Sequence, residues 1–344
     1  MSAAKKIIKV MIAGVGGASL GTEIRKSLSL AGGYEIYGCD ISGTAYGLYE
    51  QGFSKCWRVS PDDYVTSVLN ACLKSEVSFL IPGGEQPMTL LGADSKTFAD
   101  ADICLLANTP EIVARYSDKE KTFQQLAQFG IPIPRTVIVS SKSDLEYVGL
   151  PCIVKPATGS GGSVGVFFAV NADEAMIYAE FIRRNGSYPV AQEYIDDQEG
   201  EFTIGVLSLP DGRLAGSVAL RRVLDAKLSV AYRGRGGLIS SGYSQGYMGE
   251  FPELCRQAER IAEAVGSRGP INIQGRVRND VLLPFEINPR FSASTYLRAM
   301  AGFNEVDMLV KYIINGELPL SPTIKPGWYL RSLVEQYVLD EKVK

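Results

Sequence analysis

Apolar runs of strand length alternate with amphipathic helical segments over the first hundred residues. The segments KIIKVMIAGVG, YEIYGCDI and VSFLIPG are rich in β-branched and other apolar residues and end at turn signals. Between them, SLGTEIRKSLSLA and DDYVTSVLNACLKSE carry apolar residues at helical spacing. Strands separated by helices predict a doubly wound parallel sheet over residues 1–108.

The pattern changes after residue 108. Two short helices are predicted in NTPEIVARYSDKEKTFQQLAQFG, the first capped by Thr109 and the second stopped at Gly130. Short strands then follow at PCIVKPA, VGVFFAV, VAQEYI, EFTIGVLSL and LAGSVALRRVL, with one helix at NADEAMIYAEFIRRNG. This order predicts an α+β arrangement with antiparallel sheet. The glycine-rich stretch AYRGRGGLISSGYSQGYMGEF is expected to form a mobile or ligand-ordered loop.

Composition and charge exclude several classes of function. The chain has 344 residues, 46% of them hydrophobic, and a net charge of −3, so no basic surface for nucleic acid is predicted. No apolar run approaches the roughly 20 residues of a membrane span. The start, MSAAKKIIKV, has too short an apolar core for a signal peptide. We therefore expect a cytoplasmic protein of two or three modules, with neither nucleic acid nor membrane as a partner.

Histidine is absent from the sequence. This excludes Ser-His-Asp and Cys-His mechanisms, histidine general bases and histidine-bearing zinc sites. The six cysteines form no C-x-x-C pair and are expected to be small buried side chains. The chemistry must therefore use carboxylates, amides, lysines, arginines and bound metal.

A glycine-rich loop follows Lys155 in the segment IVKPATGSGGSVGVFF. Such a loop can bring backbone N–H groups close to an anion such as phosphate. It is not a Walker A loop, because the lysine precedes the glycines and Gly165 leads into a strand instead of a helix. The sequence predicts a hairpin that would cover a bound phosphate. A flexible hairpin turn without a ligand is the alternative.

Polar residues near two later strands suit nucleotide and metal binding. Glu286 and Asn288 lie two apart on one strand, and Gln274 lies on the preceding strand of a hairpin predicted to turn at Asn279-Asp280. One carboxylate and two amides facing one point would suit Mg²⁺, and Arg290 would add a cation for phosphate. The alternative is ordinary surface polarity on an edge strand.

Two other features have weaker chemical meaning. Glu193 ends one predicted strand and Glu201 opens the next, where carboxylates can accept from an amino group or ribose hydroxyls, or can simply be solvated. The turn at Gly14 lacks the third glycine of G-x-G-x-x-G, although Asp40 lies near the place of a ribose-binding acid. A dinucleotide site and an NAD-dependent oxidoreductase therefore remain a minor alternative to a structural turn.

In order and spacing, these segments resemble the ATP-grasp superfamily, and most closely its carbamoyl-phosphate-synthetase-like branch. SDKEKTFQQLAQFGIPIP is similar to the first-lysine helix, and CIVKPATGSGGSVGV to the second lysine with its phosphate-covering loop. AQEYIDDQEGEFTIGVL is similar to the adenine hinge with the ribose acid, and NIQ with FEINPRFS to the metal strands. The resemblance implies a pre-ATP-grasp Rossmann-like domain at 1–108, a small lobe at 109–190, a large lobe with the metal site at 191–320 and a C-terminal extension at 321–344.

The resemblance also implies roles for individual residues. It implies catalysis by Lys155 and Arg290, with Arg290 on the transferring phosphoryl group. It implies ATP and one or two Mg²⁺ as cofactors, with Mn²⁺ as a substitute. The implied nucleotide-binding residues are Lys119, Lys155, Ser160, Gly161, Gly162, Ser163, Glu193, Tyr194, Ile195 and Glu201, and the implied metal ligands are Gln274, Glu286 and Asn288.

The implied function is a stand-alone ligase that activates a small carboxylate, such as an amino acid, as an acyl phosphate for attack by an amine. Glutamine at position 274, where many family members have an acid, leaves open a non-catalytic ATP-binding regulatory protein. Carboxyphosphate or carbamoyl phosphate chemistry in a split synthetase is a further alternative, and a homodimer is compatible with the family. The residues considered for substrate binding are Glu85, Arg221, Arg222, Arg233 and Arg235.

Overall fold

The computed structural model describes residues 7–17, 20–116, 118–157, 165–318 and 322–344, without the side chains of Lys119 and Glu120. Its N-terminal part is a sheet of five parallel strands in the order β3-β2-β1-β4-β5, with helices packed on it. The elements are β1 (Ile8–Ala13), α1 (Leu20–Ala31), β2 (Tyr34–Asp40), β3 (Lys55–Arg58), α2 (Tyr64–Ser75), β4 (Phe79–Pro82), α3 (Glu85–Ala93), α4 (Ser95–Ala99) and β5 (Cys104–Leu105). The predicted doubly wound sheet is confirmed.

A small antiparallel sheet follows, in the order β6-β9-β7-β8. Its elements, with the two helices before it, are α5 (Pro110–Tyr116), α6 (Lys119–Gln128), β6 (Thr136–Ile138), α7 (Asp144–Val148), β7 (Cys152–Pro156), β8 (Phe167–Ala169), α8 (Ala172–Arg184) and β9 (Pro189–Glu193). Asn171 caps α8 by accepting from the Glu174 amide, and Glu174 accepts from the Val170 amide. Because β9 pairs with β6 and β7, the predicted lobe boundary at residue 190 falls inside a strand.

The third part is a six-stranded antiparallel sheet in the order β16-β15-β10-β11-β14-β17. Its strands and the adjoining elements are β10 (Glu201–Ser208), β11 (Leu214–Arg222), β12 (Val230–Gly234), β13 (Gly237–Ser240), β14 (Gly246–Met248), α9 (Pro252–Ala264), β15 (Pro270–Arg278), β16 (Val281–Asn288), α10 (Thr295–Met300), α11 (Glu305–Asn315) and β17 (Gly327–Tyr329). Strand β10 is buried along its whole length, and its residues Phe202, Ile204 and Val206 pack in one cluster with residues of α9 and α6. The C-terminal segment adds β17 to the sheet edge and returns to the first domain, where Lys344 Nζ donates to the Cys56 carbonyl.

The glycine-rich stretch of residues 231–251 was expected to be a loop, and that expectation is wrong. It contains β13, β14 and most of β12, and Arg235 and Gly236 make the β12–β13 turn with positive φ values of 50° and 79°. A Cβ on Gly237 would lie 2.3 Å from the Phe168 ring, so this glycine lets β13 approach the small sheet closely. The glycines here serve turns and close packing, which composition alone cannot distinguish from a loop.

The β15–β16 hairpin turns at Asn279 and Asp280 as predicted, and both residues have positive φ, at 53° and 61°. A two-residue turn of this kind favours glycine at its second position. We expect Asp280→Gly to stabilise the protein by about 0.5 to 1 kcal/mol because it removes side-chain strain from the left-handed region. Urea unfolding would measure the change. Asp280→Val is the contrasting variant, and a stability equal to that of Asp280→Gly would contradict the explanation.

Candidate active site

A cavity of about 100 Å³ lies between the small sheet and the large sheet. The small sheet contributes Lys155 from β7 and Gln192 from β9, and the large sheet contributes side chains from β10, β15 and β16. We call it the nucleotide cavity, after the role that the sequence predicts for its residues. Its lining residues are Pro134, Ile153, Lys155, Val166, Gln192, Glu193, Tyr194, Ile195, Glu201, Leu238, Ile239, Ser240, Arg276, Phe285 and Glu286.

Lys155 connects the two sheets through its ammonium group. Its Nζ donates to Gln192 Oε1 at 2.8 Å and to the Phe285 carbonyl at 3.1 Å. The ammonium also lies 5.0 Å from the centre of the Phe123 ring, within cation–π range. Although the residue is only 5% exposed, the group lines the cavity, so its charge is available to an anionic ligand.

The predicted hairpin around the glycine loop is confirmed, because β7 and β8 pair antiparallel with Val154 opposite Phe167. The predicted phosphate-covering residues Ser160, Gly161, Gly162 and Ser163 lie outside the described residues, as does the side chain of Lys119. Their predicted contacts with ATP phosphates therefore stay predictions.

Glu193, predicted to meet adenine, lines the cavity but is held by two arginines. Its oxygens accept from Arg135 Nε at 3.2 Å and Arg278 Nη1 at 2.7 Å. Burial acts to raise the pKa of Glu193, but these hydrogen bonds outweigh it and hold the pKa below its usual value. The adjacent Tyr194 hydroxyl accepts from the Leu238 amide and so joins the cavity to β13.

Glu201 lies at the centre of a buried ion-pair network instead of standing open toward a ribose. Its carboxylate accepts from Arg222 Nη1 at 3.0 Å and from Arg276 Nε at 2.9 Å, and Glu201 is 1% exposed. In this structure the carboxylate positions two guanidinium groups, and its predicted contact with a ribose stays a prediction.

Arg276 is a site residue that the sequence reasoning missed. Besides Glu201, it donates to the Ile195 carbonyl at 2.5 Å and the Leu238 carbonyl at 2.9 Å, and it lies 5.0 Å from the Tyr194 ring. It therefore joins the segment between β9 and β10 to β13. The available signal was a charged residue two positions after Gln274, inside the strand INIQGRVR and on the same face.

We expect Arg276→Met to lower the free energy of unfolding by about 2 to 3 kcal/mol, since it removes charged hydrogen bonds from buried groups. Methionine keeps much of the side-chain volume, so the loss reports on the polar contacts. Urea unfolding of this variant would be compared with Arg260→Met, which changes an exposed arginine of α9. Equal stabilities of the two variants would show that the network around Glu201 contributes nothing.

The predicted metal residues meet on neighbouring strands. Gln274 lies opposite Glu286 and donates to its Oε2 at 2.8 Å, while Asn288 lies opposite Asn272. Arg290 follows on the same side and donates to Asn288 Oδ1 at 3.2 Å. Burial lowers the pKa of Arg290, and the carboxylates of Glu286 and Glu85 act against that shift.

The chemistry of this donor set suits a hard cation. One carboxylate and two amides can supply the oxygen ligands that Mg²⁺ prefers, with water completing the shell. Asn288 Nδ2 and Arg290 Nε are buried, and neither has a hydrogen-bond partner in the described part of the chain. Two unpaired donors beside the carboxylate would suit a phosphate oxygen. Within the described ranges no group of three His, Cys, Asp or Glu could hold a metal, so the amides are essential to any such site.

A second cavity of about 90 Å³ adjoins the first. We call it the acceptor cavity. Both cavities are lined by Ser240, Phe285 and Glu286, which lie where the two meet. Its lining residues are Thr203, Ser240, Ser241, Gly242, Ser244, Asn272, Gln274, Phe285, Glu286, Arg290, Ser292, Ala293 and Ser294. Six of these thirteen residues carry a hydroxyl group.

Three of the four arginines considered for substrate lie away from both cavities. Arg221 is exposed, Arg233 donates to the Leu224 carbonyl, and Arg235 pairs with Glu174 on α8. From the β12–β13 hairpin, Arg233 and Arg235 hold neighbouring segments in this structure, and substrate binding by these arginines stays a prediction.

Arg222 and Glu85 lie closer to the candidate site, near Gln274 and Arg290 respectively. Arg222 is buried and donates to Gln274 Oε1 at 3.3 Å, in addition to its bond with Glu201. Glu85 opens α3 of the first domain and is exposed, near enough to Arg290 to act on its charge.

The fold and these sites define a class of protein. The chain superimposes on a biotin carboxylase from Campylobacter jejuni, solved as a complex with β,γ-ATP, with a TM-score of 0.69 over 94% of this chain and 75% of that one, at 16% identity. Residues 190–333 match the family described as "ATP-grasp in the biosynthetic pathway with Ter operon". The family match and the shared fold support the resemblance to the ATP-grasp superfamily that the motifs predict.

Sequence relatives agree with this assignment. The carbamoyl phosphate synthase large chain of Streptomyces avermitilis is 26% identical over 215 residues, which cover 61% of this chain and 19% of that protein. A D-alanine–D-alanine ligase of Corynebacterium efficiens is 32% identical over 126 residues, 35% of this chain and 34% of the ligase. The chain thus spans about a fifth to a third of the length of these relatives. No helix in the described ranges is long and apolar enough to cross a membrane.

Proposed function

We propose that the protein is an ATP- and Mg²⁺-dependent ligase that joins a small carboxylic acid to an amine. The observation that carries this proposal is the junction of two cavities at Glu286, with Lys155 on one side and Arg290 on the other. ATP would occupy the nucleotide cavity and the acid would occupy the acceptor cavity. The γ-phosphoryl group would then lie where the cavities meet.

The reaction follows from this placement. A carboxylate oxygen of the acid attacks the γ-phosphorus, the bond to the leaving ADP oxygen breaks, and an acyl phosphate forms. The amine nitrogen then attacks the acyl carbon, inorganic phosphate leaves, and the amine loses a proton to give the amide. Phosphoryl transfer needs positioning and charge neutralisation more than a strong base, which agrees with a chain that has no histidine.

The residues present can supply that neutralisation. Lys155 would bind phosphate oxygens from the small sheet, and Arg290 would face the transferring group from the large sheet. Glu286, Gln274 and Asn288 would hold Mg²⁺, which when bound screens the charge between phosphate oxygens. Arg222, anchored by Glu201, would keep the Gln274 amide in place.

The lining of the acceptor cavity indicates the class of acid. Serines from two loops, Ser241, Ser244, Ser292 and Ser294, line this cavity together with Arg290. Arg290 suits a carboxylate, and hydroxyls with both donor and acceptor capacity suit further hydroxyl or amino groups on the same molecule. We infer that the acid is small and polar, such as a hydroxy acid or a polar amino acid. Glu85, exposed near Arg290, would attract the cationic form of the amine.

The experiment is ADP release from Mg-ATP by the purified chain, with pooled acids tested with and without pooled amines. We expect release that requires both an acid and an amine, highest with small polar acids and low with aliphatic acids of equal length. Release with aliphatic acids alone would contradict the assignment of the acceptor cavity but not the ligase. Absence of release in every pool would contradict the ligase.

Bicarbonate belongs in the same screen because of the similarity to carbamoyl phosphate synthase. Release stimulated by bicarbonate without another acid would favour carboxyphosphate chemistry as part of a larger synthetase. Stabilisation of the fold by Mg-ATP with no release in any pool would favour an ATP-binding regulatory protein.

A further inference from the structure

A third cavity, of about 230 Å³, lies in the N-terminal domain and takes no part in the proposed reaction. Its volume is more than twice the 100 Å³ of the nucleotide cavity. Its lining residues are Gly14, Gly16, Asp40, Ile41, Pro61, Tyr64, Gly83, Gly84, Gln86, Pro87 and Leu90. We call it the sheet-edge cavity.

The cavity lies where the chain leaves the carboxyl ends of three parallel strands. Gly14 follows β1, Asp40 ends β2, and Gly83 follows β4. The strand order reverses between β1 and β4, so this is the topological switch point of the sheet. In open α/β sheets, ligands bind in the crevice outside the strand ends at that point.

The Asp40 carboxylate can accept further hydrogen bonds in this cavity. Its Oδ2 accepts from the Val15 amide at 2.8 Å and its Oδ1 from the Ser42 amide at 3.0 Å. A carboxylate can accept about four hydrogen bonds, so each oxygen keeps one further lone pair. A Cβ built on Gly16 would have Asp40 Oδ2 as its nearest neighbour at 3.9 Å, so the missing side chain leaves space in front of the carboxylate.

The residues that line the cavity disfavour an anionic ligand and favour a flat, partly apolar one. Ile41, Pro61, Tyr64 and Leu90 present apolar surface. Burial raises the pKa of the Tyr64 phenol, which therefore remains a hydrogen-bond donor at all ordinary pH values. None of the described residues lining the cavity is a lysine or an arginine. A phosphate here would meet only the negative charge of Asp40.

We propose that the sheet-edge cavity binds a neutral nucleoside, with the ribose hydroxyls donating to Asp40 and the base packed among the apolar walls. The ligand is not a dinucleotide, because the Val15 amide of the glycine turn is bonded to Asp40 and the lining supplies no cation for a pyrophosphate. This site is separate from the nucleotide cavity, and its occupation does not depend on the proposed ligase activity.

The test is calorimetric titration of the full chain with adenosine, guanosine and uridine while a saturating non-hydrolysable Mg-ATP analogue fills the nucleotide cavity. We expect one nucleoside equivalent to bind, and the matching 5′-monophosphate to bind at least 10-fold more weakly because of the charge of Asp40. Monophosphate binding as tight as that of the nucleoside, or no heat from any of the three nucleosides, would overturn the proposal.

Matched variants locate the site. Leu90→Trp fills the cavity from its rim, and Leu73→Trp places the same side chain on exposed α2 outside the cavity. We expect at least a 10-fold loss of nucleoside affinity for Leu90→Trp and no change for Leu73→Trp. Asp40→Asn removes the charge and keeps a hydrogen-bond acceptor. It should reduce the difference in affinity between the nucleoside and its monophosphate. An unchanged affinity in Leu90→Trp would overturn the proposal.

Discussion

Replacing Lys155 with methionine is expected to lower kcat for ADP release by about 10³-fold, equivalent to about 4 kcal/mol of transition-state stabilisation. The Lys155 ammonium is the cation that the small sheet places in the nucleotide cavity, bonded to Gln192 of its own sheet and to the Phe285 carbonyl of the large one. Methionine keeps the length of the side chain and removes its charge. The phosphoryl group would then lose a donor that is already fixed before the reaction.

The control is Lys142→Met. Lys142 is an exposed lysine of the same lobe that pairs with Asp173. Steady-state ADP release and circular dichroism on both variants separate catalysis from folding. Full turnover by a folded Lys155→Met protein would exclude Lys155 from phosphoryl transfer and remove the main support for the nucleotide cavity as the ATP site.

Local sequence patterns predicted most of the fold, because the pattern of most segments agrees with the helix or strand that they form. The strands β1, β2 and β4 are apolar runs bounded by turns, and a parallel sheet follows from the helices between them. The Asn279-Asp280 turn follows from the sequence pattern, and Glu286 and Asn288 share a face because they are two apart on one strand. The pairing of Gln274 with Glu286 also needs a register shift between Gln274 and Gly275, which spacing does not reveal. Such features depend on neighbours in sequence or directly across a hairpin.

The features that sequence patterns missed depend on contacts between distant segments. Arg276 joins Ile195, Glu201 and Leu238, which come from three separate segments of the chain. Glu201 looked like an open acid because its two arginine partners are 21 and 75 residues away. The strands at 230–248 contact Phe168 of the small sheet and Tyr194, which directly follows β9, and local composition does not reveal these contacts.

The acceptor cavity could not be predicted for a related reason. Four of its six hydroxyl residues come from the turn after β13 and from the segment after β16, and neither segment has a motif that indicates its ligand. The junction with the nucleotide cavity exists because β15 and β16 place Gln274, Glu286 and Phe285 beside both. The chemistry of the site is thus a property of the hairpin and its two neighbours together.

The second large effect is expected at this hairpin. Glu286→Gln should lower kcat/KM by about 10²- to 10³-fold and raise the half-saturating Mg²⁺ concentration, because it removes the one carboxylate among the described residues of the acceptor cavity. Glutamine can still form a hydrogen bond with Gln274, so the hairpin should fold. A Mg²⁺ titration of ADP release is the measurement, and Glu263→Gln on exposed α9 is the control.

Exchanging the two side chains gives a more specific test of the metal role. Gln274 and Glu286 lie opposite each other, with Nε2 and Oε2 2.8 Å apart. The double variant Glu286→Gln, Gln274→Glu moves the carboxylate across the hairpin while keeping its charge near Arg222, which donates to Gln274. If the carboxylate acts by holding Mg²⁺, the double variant should recover part of the Mg²⁺ affinity that Glu286→Gln loses. A Mg²⁺ dependence that is the same in the native protein, the single variant and the double variant would show that the cation is held elsewhere, and that Glu286 supports the fold without touching the reaction.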